Sequence, residues 1–173
     1  GMMAGQIAAK FNNENGKFGV EAKAYNNLEL FGISNGRVQF DLFGDNSTVA
    51  SVDVTVANDN TTGLVAAVNS KTAETGISAS VSGNGAILLS KPGGNDISLK
   101  NFSIANGTIL ARQVDKFGEK VQTSPISITS GKHVISGGQI ELRSPDTFSL
   151  TYNGATQSSS ASSFDDGFVK KSN

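Results

Sequence analysis

Cysteine and tryptophan are absent from this sequence, and histidine occurs once, as His133. The missing cysteines exclude disulfides, thiolate chemistry and cysteine-ligated zinc, although they do not fix a compartment. A single histidine cannot supply the His-x-x-x-His pair of a zinc site. Aromatic residues make up 7% of the chain, with only Tyr25 and Tyr152 beyond the phenylalanines. That leaves few platforms for stacking against sugar rings. Charged residues are 17% and the formal net charge is −1. A balance so near neutral, with both signs interspersed, leaves no electrostatic footprint for nucleic acid or an anionic membrane. No apolar run approaches the roughly 18 residues that a membrane-spanning helix requires. The opening Gly1-Met2-Met3 lacks a basic region followed by an apolar stretch, so no signal peptide is read there. A glycine ahead of the first methionine reads as a scar of tag removal, which suggests a piece excised from something longer.

What fills the chain is glycine, serine, threonine and asparagine between short β-branched runs, over 173 residues. This points to a β-rich protein with enough chain to bury a core. Set against itself with an offset of 57 positions, the sequence pairs Ala9 with Ala66, Asn12 with Asn69, Gly19 with Gly76, Ala22 with Ala79 and Asn27 with Asn84. Apolar positions keep step between these identities: Ile7 with Leu64, Phe11 with Val68, Val20 with Ile77, Leu30 with Ile87 and Phe31 with Leu88.

The second unit is the easier to read. The hydroxyl of Thr61 or Thr62 caps a short helix. Leu64, Val65 and Val68 form its apolar face, and Gly76 ends it in the left-handed conformation. Ile77, Ala79 and Val81 alternate with serines as a half-buried strand. Gly83-Asn84-Gly85 turns the chain, Ile87–Leu89 return, and Lys91-Pro92-Gly93-Gly94 ends the strand. A helix of two turns is marginal alone, so each unit is expected to be a helix lying on a β-hairpin. Ahead of the second unit, Val38, Phe40 and Leu42 predict one strand and Ala50, Val52, Val54 and Val56 another, with a turn at Asp45-Asn46-Ser47.

The last third shows short strands at regular spacing: Phe102–Ala105, Thr108–Val114, Lys120–Thr123, Ile126–Thr129, His133–Ile135, Gln139–Arg143 and Phe148–Tyr152. The predicted fold is α+β and mostly β. Two helix-plus-hairpin units pack with a β-sandwich or open-barrel-like C-terminal part, lying beside them or continuous with them. The expected divisions are 1–36, a first unit truncated at its start; 37–100, the second unit with its preceding hairpin; 101–155, the β-rich part; and 156–173, a flexible tail.

Ala67-Val68-Asn69, Thr75-Gly76-Ile77, Ala79 and Ala86-Ile87-Leu88-Leu89-Ser90 together resemble the short repeat of bacterial flagellins and their relatives at the hook. Lys10-Phe11-Asn12, Gly19-Val20, Ala22 and Leu28-Glu29-Leu30 are the matching residues of the first unit, and the isoleucine of the family pattern is Val68 or Phe11 here. Residues 135–154, ISGGQIELRSPDTFSLTYNG, resemble the strand-rich outer part of flagellins in style. The resemblance implies the central, hypervariable outer region of a filament subunit, extracellular and serving motility. Its partners would be other flagellin subunits, met through long terminal helices that are absent from this chain. The piece itself is expected to be monomeric, with no nucleic acid and no membrane as partner. Alternatives are a domain of a hook-associated or filament-cap protein and a secreted adhesin-type binding module.

Residues with chemical potential are few. His133 reads as a surface strand residue, and the His-Glu-x-x-His signature of flagellins with a metalloprotease insert is missing. Asp45, Asp53 and Asp59, with Asn46, Asn58 and Asn60, lack the spacing of a calcium loop and suit turns and caps. Asp165 and Asp166 are adjacent in the tail and read as solvated. Gly83–Gly85, Gly93-Gly94 and Gly137-Gly138 precede no helix, so they are hairpin turns and not phosphate cradles. Asn46, Asn60, Asn101 and Asn106 each begin an N-glycan acceptor pattern, while the resemblance favours O-linked sugars at Ser158–Ser163. No catalytic, cofactor or metal residue is assigned, and no enzyme activity is expected.

Overall fold

The computed structural model describes residues 2–15, 19–121, 124–144, 148–152, 155–159 and 163–164. In chain order they form helix α1 (Ala4–Asn15) and strands β1 (Glu21–Phe31), β2 (Gly36–Phe43) and β3 (Ala50–Val56). Helices α2 (Thr62–Asn69) and α3 (Thr72–Thr75) follow, then β4 (Ser78–Val81), β5 (Ile87–Pro92), β6 (Ile97–Ile104) and β7 (Ile109–Gln113). The later strands are β8 (Ile126–Ile128), β9 (Val134–Ser136), β10 (Gln139–Arg143), β11 (Phe148–Tyr152), β12 (Ala155–Ser159) and β13 (Ser163–Phe164). The protein is α+β and mostly β, with two principal antiparallel sheets among the described residues.

The smaller sheet has the order β3-β2-β6-β9. Its alternation is the one the sequence predicts. Val38, Phe40 and Leu42 are buried on β2 and Ala50, Val52 and Val56 on β3, while Ser51, Asp53 and Thr55 face out. Phe40 meets Phe102 of β6 with ring centroids 5.1 Å apart. The register shifts between Gln39 and Asp41, and Asn101 of β6 takes a φ of 53° there. Such a bulge re-aims a side chain, and Asn101 donates to Asp41 Oδ2 at 2.7 Å.

The larger sheet is built around β1. One edge of β1 carries β5, paired from Tyr25 to Leu30. Its other edge carries two strands end to end: β10 along Glu21–Tyr25 and β7 along Leu28–Phe31. Beyond these lie β4 next to β5, β8 next to β7 and β13 next to β10. One apolar cluster draws on both sheets: Leu28, Leu30, Ile87, Leu89, Ile109 and Ile128 from the larger, and Phe40, Leu42, Val52, Ile97, Leu99 and Val134 from the smaller. Helix α2 adds Leu64 and Val68 to it and packs against both β3 and β4, the terminal strands of the two sheets on that side. It therefore closes one side of the layered core.

Helix α1 covers β1 and β10, with Ala8 in a separate small cluster with Ala22 and Leu142, flanked by Phe11 and Ile140. Small residues let it lie close. A Cβ on Gly138 would run into the Gly94 backbone and the Ala4 methyl group, so the start of the helix needs glycine there.

Two expectations are corrected, that of a first hairpin and that of a threonine cap. Residues 21–31 form one continuous strand, not a hairpin. The positions aligned with Gly83-Asn84-Gly85 are Asn26-Asn27-Leu28, which offer no glycine for a positive φ, and Asn26 is instead locked in the interior. The strands after residue 100 are continuous with the sheets of the preceding units. β6 runs straight through residue 100, β6 and β9 join the smaller sheet, and β7, β8 and β10 join the larger. Ala155–Ser159 pairs with β11, and Ser163–Phe164 pairs with β10. Neither Thr61 nor Thr62 caps α2 through its hydroxyl. Asn60 Oδ1 takes that place, accepting from the Thr62 amide at 2.9 Å and the Thr62 hydroxyl at 2.6 Å. Of the predicted Lys120–Thr123 strand, Lys120 makes an isolated bridge to Val114, and residues 122–123 lie outside the described residues.

Candidate functional site

The two helix-to-strand connections carry the same polar device. Asn12 of α1 donates from Nδ2 to the Ala22 carbonyl at 2.8 Å, and its Oδ1 accepts from the Ala22 amide at 2.6 Å. Asn69 of α2 donates to the Ala79 carbonyl at 3.0 Å and accepts from the Ala79 amide at 2.7 Å. Gly19 and Gly76, between helix and strand, have φ values of 74° and 67°. The offset between corresponding residues is 57 in each case, from 12 to 69, 19 to 76 and 22 to 79.

Three further polar knots join the elements. In the first, the Lys91 ammonium, 2% exposed, donates to Asp45 Oδ2 at 2.6 Å and to the Thr75 carbonyl at 3.1 Å. A buried charge must be paired, and here a cation also meets a helix C-terminal carbonyl. Hydrogen bonds from Lys91 and then Asn95 hold the Asp45 carboxyl below its usual range.

The second knot surrounds Asn26, which is fully buried. Its Nδ2 donates to the carbonyls of Ser136 at 2.6 Å and Asn95 at 3.0 Å, and its Oδ1 accepts from the Ser136 hydroxyl at 2.8 Å. Gln113 donates to Ser136 Oγ at 2.9 Å and to the Gly137 carbonyl at 2.6 Å. Beside this knot lies a cleft of about 150 Å³ lined by Leu28, Ala111, Ile126, Val134 and Ile135.

The third knot is Glu141 of β10, held by Lys116 and by Arg143 Nη2 at 2.9 Å. Burial alone would raise its pKa, but the hydrogen bonds and charges of Arg143 and Lys116 outweigh burial and lower it. At the other end of β1, Glu29 is paired with Arg112 at 2.5 Å, and the Arg112 guanidinium lies 4.5 Å from the Phe31 ring centroid.

The structure scatters the residues that the sequence offers for chemistry. His133 is exposed just before β9. Asp53 lies on the outer face of β3 in a two-point pair with Arg37, whose hydrogen bonds hold its carboxyl low. Asn58 and Asp59 take φ values of 53° and 54° in a turn, and the Asp59 amide donates to Asn35 Oδ1 at 2.9 Å. No group of three or more His, Cys, Asp or Glu residues placed to hold a metal occurs among the described residues. All four asparagines of the N-glycan patterns have their side-chain amides engaged. Asn46 bonds Leu42, Thr48 and Gly44; Asn60 bonds Thr62; Asn101 bonds Asp41; Asn106 bonds the Asn35 carbonyl. Gly83–Gly85 form a tight turn, and Gly93 and Gly94 follow β5 with positive φ. Asp165 and Asp166, and residues 160–162 of the Ser158–Ser163 stretch, lie outside the described residues.

Sequence reading missed Asn26, Lys91 and Glu141. Asn12 and Asn69 were visible as a repeated identity, but their bonding was not.

No protein-family model matches the chain. It is similar to a flagellin. The relative is the B-type flagellin of Pseudomonas aeruginosa, 26% identical over 167 residues. The match covers 92% of this chain and 33% of the relative, so the chain spans about a third of the length of that flagellin. A flagellin-related region is the coarse reading this similarity supports. No helix among the described residues is long and apolar enough to cross a membrane, which leaves strand-built spans unaddressed.

Proposed function

We propose that this chain is the outward-projecting, non-catalytic domain of a flagellin-type filament subunit. One observation carries the reading: nearly the whole chain aligns within a third of a flagellin. The β-rich core supplies rigidity, and serine, threonine and asparagine provide a hydrated face. In this reading the domain takes no part in polymerisation, which belongs to segments outside it, and the protein works outside the cell in motility. The polar knots suit that role, since each fixes elements to one another: Asp45 and Glu141 are consumed in ion pairs, and Asn26 is surrounded by its own backbone partners.

Immunogold labelling of intact cells with antibodies raised against this chain tests the proposal. Label along the length of filaments is expected. Label confined to the tip or hook would move the assignment to a cap or hook-associated protein, and filament-free label on the cell surface would favour an adhesin.

A further inference from the structure

The free edges of the larger sheet are treated unequally, and the asparagine pairs explain how. In β4, Ala79 stands opposite Leu89 of β5. Its amide and carbonyl point the other way, since both are bonded to Asn69. β4 is the terminal strand on that side of the sheet. A carboxamide carries the same donor and acceptor as a peptide unit, so Asn69 stands where the next strand's backbone would stand. The same holds at Ala22. It faces Leu142 of β10, while β5 covers β1 only from Tyr25 onward, and Asn12 fills the vacant edge.

We propose that Asn69 is an edge plug: it occupies the hydrogen-bonding positions of β4 through which a second copy of this chain would otherwise add its own β4 as an antiparallel neighbour. Unpaired edges are templates for such addition, and proteins blunt them with short strands, prolines and charges. β8 and β9 have three residues each, preceded by Pro125 and by Lys132-His133. β4, four residues long, carries no proline or charge of its own, and it is α2, through Asn69, that lies along its outer edge. Its flanks are Ser78, Ser80 and an exposed Val81, 51% accessible, which would welcome a partner strand. The two plugs differ in setting. Asn69 is exposed and Ala79 half-buried, whereas Asn12 is half-buried and Ala22 is 3% accessible, packed with Ala8 beneath α1. Only the first guards a surface that another molecule can reach.

The test compares Asn69→Ala with Asn12→Ala by sedimentation velocity across a concentration series, alongside the unsubstituted chain. Asn69→Ala is expected to raise the dimer and larger fraction severalfold, increasing with concentration. Asn12→Ala is expected to lower the melting temperature without added association. Adding Val81→Lys to Asn69→Ala restores the original sedimentation, because a charged edge residue repels strand addition. Asn69→Ser, uncharged and too short to reach both groups of Ala79, is the second variant if the alanine change costs the fold, and it is expected to associate in the same way. If folded Asn69 variants sediment like the unsubstituted chain at every concentration, the bonds merely stabilise and the proposal falls. It falls equally if Asn12→Ala associates as strongly, or if Val81→Lys fails to reverse the effect.

Discussion

Residues 4–31 and 62–92 each run from a helix through a left-handed glycine to an alanine clamped by a helical asparagine, and after that alanine they part. The second unit turns back at Gly83–Gly85 and pairs β4 with β5. The first continues straight, and its strand becomes the middle of the larger sheet, flanked by β5, β7 and β10. The contrast separates two things that a sequence repeat runs together. The helix-glycine-alanine segment is specified locally, by a backbone position that favours glycine and a side chain of the right reach. The turn takes positive φ at Asn84 and Gly85, and where Leu28 stands in the place of that glycine the strand runs on. Burial then follows the surroundings and not the alignment: Leu64 is 1% accessible and its counterpart Ile7 is 44%.

The largest expected effect comes from the helix that closes the core. Leu64→Ala should cost about 2–5 kcal/mol of unfolding free energy, as buried leucine truncations do, measured by urea unfolding. Next is Asn26→Ala, the position where the first unit refuses to turn. It strands the carbonyls of Ser136 and Asn95 and the Ser136 hydroxyl. The expected loss is about 3 kcal/mol, on the scale of buried groups left without partners.

The two left-handed glycines sharpen the comparison. Gly19→Ala should cost roughly 1–2 kcal/mol from backbone strain alone, because nothing lies near the added methyl group. Gly76→Ala should cost more in the same assay, since its methyl group would displace the Asp45 carboxylate and the Lys91 ammonium.

Acid is a gentler probe. Glu141, beside the head of β1, has its pKa lowered in the folded state from an ordinary 4.5. Its contribution is therefore present above that ordinary value and is lost as pH falls through the lowered one. Glu141→Gln should flatten the acid limb of a stability-against-pH curve, and an unchanged limb would show that the ion pairs of β10 contribute nothing. The smallest effect is expected of Ile7→Ala, within about 0.5 kcal/mol, as for surface positions without special contacts. A loss matching that of Leu64→Ala would mean that the two helices are equivalent after all.

Much of the local structure was legible in the sequence. Alternation at Val38–Leu42 and Ala50–Val56 marked β2 and β3, and β10 and β11 fell on the predicted Gln139–Arg143 and Phe148–Tyr152. What failed was long-range. Nothing in the pattern of 101–143 says which strand joins which sheet, because each short apolar alternation fits either face. Asn26-Asn27 looks like a turn, and only the arrival of Ser136, 110 residues later, makes burial of Asn26 tolerable. Lys91 reads as the end of a strand, yet Asp45 from the β2–β3 connection allows it to be enclosed. The asparagine plugs show the reverse. The identities were plain, but a side chain that imitates a neighbouring strand has no signature until the sheet edge is seen.

The placement of β1 bears on how the molecule reaches its shape. It is the first strand in the chain, and the residues that complete its ladder extend to Arg143. Contacts between segments so distant in sequence slow folding. β1 precedes β5, β7 and β10 in sequence, so its ladder stays incomplete until β10 has followed. Any handling of the protein before that moment, whether transport or proteolysis, meets a chain whose central strand is still open on at least one side.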